Sequence, residues 1–157
     1  MRLRRATGDG ILMGKVDFYI LGDDGADEPL RVACRLADKA WRQGHRVRVQ
    51  VDGNEALQRL DSLMWTFRQD SFLPHEIDGQ AAEIKDGLPV PVMLGTDSGS
   101  AQPPDVLINL SGAVPPGAEQ IPRIAEIVPL DPGAKQAGRE RYRQYRERGF
   151  ELDSHQV

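Results

Sequence analysis

Apolar and polar positions change period several times along the chain, and each change marks an element. Residues 16–21 (VDFYIL) form a short apolar run, β-branched and aromatic, closed by Gly22-Asp23-Asp24-Gly25, which predicts a buried strand ending in a loop. Pro29 suits a first helical turn, and Leu30, Ala33, Ala37, Ala40 and Trp41 then recur at helical spacing until Gly44 supplies a stop. Residues 46–51 (RVRVQV) alternate with period two; from Asn54 onward Ala56, Leu57, Leu60, Leu63 and Met64 mark one face of a second helix. Residues 65–77 are less regular, and 88–94 (LPVPVML) read as a short edge strand, because proline cannot donate to a sheet ladder. Residues 95–104 (GTDSGSAQPP) are a loop by composition. Two further apolar runs, 106–110 (VLINL) and 124–128 (IAEIV), predict buried strands, and a last helix runs from about residue 134 to 148, stopped by Gly149.

Strands alternating with helices predict an α/β fold: a single Rossmann-like domain with a mostly parallel sheet flanked by helices. The length of 157 residues suits one domain, placed at residues 13–157. Residues 1–12 carry three arginines and lack the apolar stretch of about 7 to 15 residues of a secretory signal. Because Met13 stands just before the first strand, they are read as an extension, either disordered or a mis-called start.

Composition narrows the function more than the fold. No apolar stretch approaches the roughly 20 residues of a bilayer span, so a soluble protein without membrane contact is expected. The single cysteine, Cys34, has no internal disulfide partner, which fits a cytoplasmic location; it falls among apolar neighbours of the first helix and is read as core. His45, His75 and His155 are too far apart for a metal-ligand motif, and a lone loop histidine such as His75 reads as a surface residue. Neither G-x-x-x-x-G-K-[ST] nor G-x-G-x-x-G occurs, and Asp23, Asp24, Asp27 and Glu28 after the first strand would repel a pyrophosphate. This acidic loop is read as solvated. With no G-x-S-x-G elbow either, no catalytic residue, metal or cofactor is assigned.

Two features remain. The whole chain carries a net charge of −4, but residues 135–148 (KQAGRERYRQYRER) hold six basic against two acidic side chains, hence +4, leaving −8 for the remainder. At about 100° per residue, Lys135, Arg139, Tyr142, Arg143 and Arg146 share one arc of about 100°. Ala134, Ala137, Gly138 and Tyr145 cluster on the other side, where small residues allow close approach to the sheet, so the arc of unpaired cations faces outward. An anionic partner with an apolar or aromatic end suits it, since arginine binds carboxylate or phosphate bidentately. The second feature is aromatic crowding: Trp65, Phe67 and Phe72, three of nine aromatics, fall within eight consecutive positions. They either fill the core beneath a loop or form an exposed anchor patch.

The stretches KVDFYIL at 15–21, AWRQGHRV at 40–47, RLDSLMW at 59–65, DSFLPH at 70–75, DVLINL at 105–110 and RERYRQYRERGF at 139–150 resemble, in order and spacing, the chi subunits of bacterial DNA polymerase III holoenzyme. That resemblance implies a nucleotide-binding type of α/β fold that has lost its phosphate loop, in a non-catalytic accessory of the clamp loader. It further implies a one-to-one complex with the psi subunit and binding to the acidic C-terminal tail of single-stranded DNA-binding protein, which ends in an aromatic residue with a free carboxylate. DNA would then be reached only indirectly. The tail would meet Val128, Lys135, Arg139, Tyr142 and Arg143, with Arg139 on the terminal carboxylate, Val128 and Tyr142 walling the aromatic ring, and Lys135 and Arg143 attracting the tail's aspartates. Trp65 and Phe72 would contact psi and, in some bacteria, a competing helicase-like repair protein. The alternative is a module that binds single-stranded nucleic acid directly through the basic C-terminal helix. Gly138, a poor helix former beside Arg139, and residues 80–104 depart from the pattern.

Overall fold

The computed structural model describes residues 14–22, 25, 27–68, 72–78, 90–96 and 103–157. The expected extension at 1–12, the acids Asp23 and Asp24, and most of 80–104 lie outside the described residues. The elements run β1 (Lys15–Ile20), α1 (Glu28–Arg42), β2 (Val47–Gln50), α2 (Asn54–Thr66), β3 (His75–Ile77), β4 (Val92–Gly95), β5 (Val106–Asn109), a 3-10 turn (Ala118–Gln120), β6 (Arg123–Val128), α3 (Pro132–Glu147) and β7 (Glu151–Gln156). Seven strands form one sheet in the order β3-β4-β2-β5-β6-β1-β7, and every pairing is parallel.

Parallel strands need helical crossovers, and those helices cover both faces of the sheet. On one face Leu30, Ala33, Cys34 and Ala37 of α1 and Leu57, Leu60 and Met64 of α2 pack with Val47, Val49, Ile108 and Ile127. On the other, Tyr145 of α3 packs with Val16, Phe18, Leu107, Ile124 and Val128. In β1, β5 and β6 the period-two alternation thus feeds two separate cores. Cys34 is buried as expected, and burial pushes its thiol up to about 12. None of the described helices is long and apolar enough to cross a membrane.

Both helix stops foreseen at glycine hold for one reason: Gly44 (φ 92°) and Gly149 (φ 89°) adopt the left-handed conformation that closes a helix without a Cβ clash. At the start of α3, Asp131 Oδ2 accepts from the Ala134 N–H at 2.9 Å, capping a helix that begins at Pro132, two residues before the expected start.

Several expectations need correction. The irregular stretch 65–77 holds the last turn of α2 and the strand β3, too short to show alternation. The strand expected at 88–94 is Val92–Gly95 and lies inside the sheet between β3 and β2; its prolines precede the ladder, and the edge falls to β3. Beyond Gly149 the chain returns as β7 on the far edge, paired with β1, although five of its six residues are polar or charged. His75 is not a surface residue but is buried on β3. Its Nδ1–H donates to Leu73 O at 2.8 Å, and its Nε2 lies 3.3 Å from Asp61 Oδ1 without the alignment of a hydrogen bond.

Candidate peptide-binding groove and aromatic patch

Where β1, β6 and β7 end, a groove of about 400 Å³ opens between them and α3. Its floor is apolar, formed by Phe18 and Ile20 of β1 and Val128 of β6; Lys135, Arg139 and Tyr142 of α3 form one wall, and Ser154 and Gln156 of β7 line it as well. Gly138 explains how close helix and strand come. A Cβ there would sit 3.2 Å from both methyls of Val128, so the residue that weakens the helix also lets it seat on the strand.

A buried polar network sets the roll of α3. Glu126, central in β6 and 0% exposed, accepts from Arg141 Nε at 2.9 Å, Tyr145 OH at 2.6 Å and Asn109 Nδ2 at 2.9 Å. Arg141 also donates to Gly112 O at 3.2 Å, and the Asn109 amide reaches Ala113 O at 2.8 Å, tying the loop after β5 to the same point. Burial pushes the Glu126 carboxyl above its ordinary value, opposed by the Arg141 charge and the hydrogen bonds from Tyr145, Asn109 and Arg141. Burial and the Glu126 charge push the Tyr145 phenol up as well, so its hydroxyl stays a donor.

With Arg141 and Tyr145 directed into the sheet, the opposite arc of α3 is presented outward. Tyr142 is half-buried, its ring 5.3 Å from that of Phe18. Arg139 is exposed at the groove mouth, and among the described residues its guanidinium hydrogen-bonds Gln136 Oε1 at 3.3 Å and forms no ion pair. Arg143, foreseen as unpaired, instead forms an ion pair with Glu140 one turn earlier and does not line the groove. Four of the five residues expected to meet a peptide tail therefore converge on one groove, while Arg143 stands beside it. Phe18, Ile20, Gly138, Ser154 and Gln156 were not foreseen. The alternation of VDFYIL placed Phe18 on one face with Ile20, but which helix that face meets is a tertiary matter.

The three crowded aromatics separate. Phe67 is partly buried against the core beneath α1, whereas Trp65 is 56% and Phe72 63% exposed. Their rings lie 5.5 Å apart, and Trp65 meets the edge of His75 at 4.5 Å, so the buried histidine props up an exposed aromatic pair. Among the described residues, no three His, Cys, Asp or Glu side chains converge as a metal site.

A model of the family described as DNA polymerase III chi subunit, HolC, matches residues 13–153. Among curated proteins, the DNA polymerase III subunit chi of Pseudomonas aeruginosa is 38% identical over 145 residues, covering 92% of this chain and 98% of that protein. The subunits chi of Escherichia coli and Haemophilus influenzae are each 30% identical, over 146 and 141 residues, covering 90% and 89% of this chain and 97% and 95% of theirs. A match of this extent, over the same β-α-β order that builds the groove and the aromatic patch, establishes that the chain belongs to the DNA polymerase III chi subunit family.

Proposed function

We propose that this chain is a non-catalytic, cytoplasmic adaptor of DNA polymerase III that joins the psi subunit of the clamp loader to the acidic C-terminal tail of single-stranded DNA-binding protein. The observation that carries this reading is the groove beside α3, an apolar floor beneath a cationic rim. An acidic peptide ending in an aromatic residue has the complementary layout. Its ring would rest on Phe18 and Val128 against Tyr142, and its terminal carboxylate would take the fork of Arg139. Lys135 would draw in the upstream acids, aided by the positive end of the α3 dipole. Arg143, shared with Glu140, would contribute less.

The exposed pair Trp65 and Phe72 suits a separate apolar contact, here assigned to psi and to any helicase-like repair protein competing for the same rings. The residues at 1–12 are taken as an extension outside the domain. The decisive experiment is calorimetric titration with a synthetic acidic peptide ending in Ile-Pro-Phe, as free acid and as amide, at two salt concentrations. Micromolar binding by the free acid, about −8 kcal/mol, lost on amidation and weakened by salt, is expected. No binding by the free acid, with oligonucleotide binding that vanishes in Arg139→Ala, would replace the adaptor by a direct nucleic-acid module.

A further inference from the structure

The face of the sheet opposite α3 carries a second concentration of positive charge. Arg31, Arg35, Lys39 and Arg42 of α1 share an arc of about 80° and form a row about 16 Å long at 1.5 Å rise per residue. Asp38 borders this arc, about 20° beyond its edge, but is only 3% exposed; it accepts from Arg42 Nε at 2.9 Å and from Arg68 Nη1, beyond the end of α2, at 2.7 Å. A groove of about 390 Å³ opens here, lined by Arg31, Arg35, Asp38, Lys39, Phe67 and Arg68. Arg35 also reaches Glu28 at 3.2 Å, whereas Arg31 and Lys39 make no ion pair among the described residues. Five cations thus face two carboxylates in a chain whose net charge is −4.

We propose that this groove between α1 and the end of α2 binds the phosphate backbone of single-stranded nucleic acid. A buried carboxylate holds two guanidiniums in place before any ligand arrives, so little ordering remains to be done on binding. The row is long and straight, which suits a chain of anions better than one small ion. The lining also separates phosphate from peptide. The groove beside α3 has an apolar floor to anchor a side chain, but here, among the described residues, Phe67 alone is an apolar lining residue, half-buried and offering a ring to a base. A phosphodiester needs no apolar anchor, because its affinity comes from counterion release. The acidic remainder of the chain does not cancel this locally, since exposed charges are screened beyond about 8 Å. The site goes beyond the adaptor reading, in which DNA is reached only through other proteins. Arg68 follows Trp65 by three residues, just past the end of α2, so a partner on the aromatic patch would flank it.

Anisotropy of a labelled oligothymidylate, titrated with the full chain at several salt concentrations, tests this. Weak binding is expected, with a log–log salt slope of about −2 to −3 for four neutralised phosphates. Arg31→Glu with Arg35→Glu, both exposed, should weaken it about tenfold or more and flatten the slope. Arg139→Glu should leave it unchanged, and calorimetry with the acidic tail peptide should give the reverse pattern, so the two surfaces stand or fall separately. Absence of binding at low salt, binding indifferent to the α1 changes, or loss with Arg139→Glu would overturn the proposal. Displacement of the oligonucleotide by polyglutamate as readily as by unlabelled oligothymidylate would overturn it in favour of an acidic polypeptide.

Discussion

Arg141 Nε donates to Glu126 Oε1 at 2.9 Å inside the sheet, and this one contact decides which side of α3 faces the solvent. Six basic side chains lie between residues 135 and 148, and helical spacing sets Arg141 apart from the outward arc, on the side of Ala137, Gly138 and Tyr145. The structure supplies what the spacing does not, a carboxylate on the strand beneath Arg141 to pair with its charge. Arg139 and Tyr142, two residues before and one after, are thereby carried to the groove. Removing one partner leaves the other charged and buried, which costs about 3–5 kcal/mol. Glu126→Ala and Arg141→Ala should each lower the urea midpoint strongly, and the double variant should cost clearly less than their sum. Strict additivity would show that the two are not coupled.

The two candidate surfaces are far apart in role and should be separable. Arg139→Ala should abolish binding of the acidic tail peptide while leaving association with psi unchanged, and Phe72→Ala should do the opposite; calorimetry reads the first and co-elution the second. Either single change abolishing both, with native circular dichroism, would sink the two-surface reading.

Gly138 offers a finer probe of the groove. An added methyl helps the helix by about 1 kcal/mol but meets Val128, whose β-branched side chain has little freedom to turn away. Gly138→Ala should therefore leave stability within about 1 kcal/mol of wild type and weaken tail-peptide affinity several-fold. Unchanged affinity would mean that the strand and helix re-seat without disturbing the floor.

Acid stability should report on Asp17, buried on β1. Burial alone pushes its carboxyl up, but hydrogen bonds from His155 and Arg123, with the Lys15 and Arg123 charges nearby, outweigh that and hold it below its ordinary value. A carboxyl depressed in the folded state contributes stability that is fully present above its unfolded value of about 4 and is lost as pH falls through the folded value. Thermal melts should reach their plateau for this contribution above about pH 5 and decline below about pH 4, and Asp17→Asn should shrink that decline. An equally steep decline in the variant would move the effect to other carboxylates.

Cys34, buried with its thiol pushed up to about 12, has almost no thiolate at neutral pH. A thiol reagent such as Ellman's should label the native chain only as fast as it opens, and at once in guanidinium. Rapid labelling of the native protein would place Cys34 at the surface.

Much of the fold was legible because each early element repeats its own pattern. The VDFYIL run, the helical spacing of Leu30 to Trp41 and the stops at Gly44 and Gly149 are local signals, read without knowledge of any partner. β3 and β7 were not, being short or largely polar and held by pairing with β4 and β1. His75 illustrates the same limit, since a loop-like histidine is buried by Trp65, which lies ten residues away along the chain. The basic arc of α3 was visible as a pattern, whereas the pairing of Arg143 with Glu140 and the inward turn of Arg141 depend on rotamer and on β6.

The amino-acid sequence by itself determined the alternation of strands and helices, the absence of a phosphate loop motif, the segregation of positive charge onto the last helix and the crowding of aromatics around the end of α2. These depend on spacing along a single chain, where helix and strand periods leave a readable imprint. Only the tertiary structure decided that Phe18, Ile20, Val128, Gly138 and Ser154 meet in one groove, that Phe67 goes inside while Trp65 and Phe72 stay out, and that Asp38 draws Arg42 and Arg68 together. Those outcomes bring residues from distant elements into contact, and desolvation and charge pairing act on distance in space, which sequence spacing does not contain.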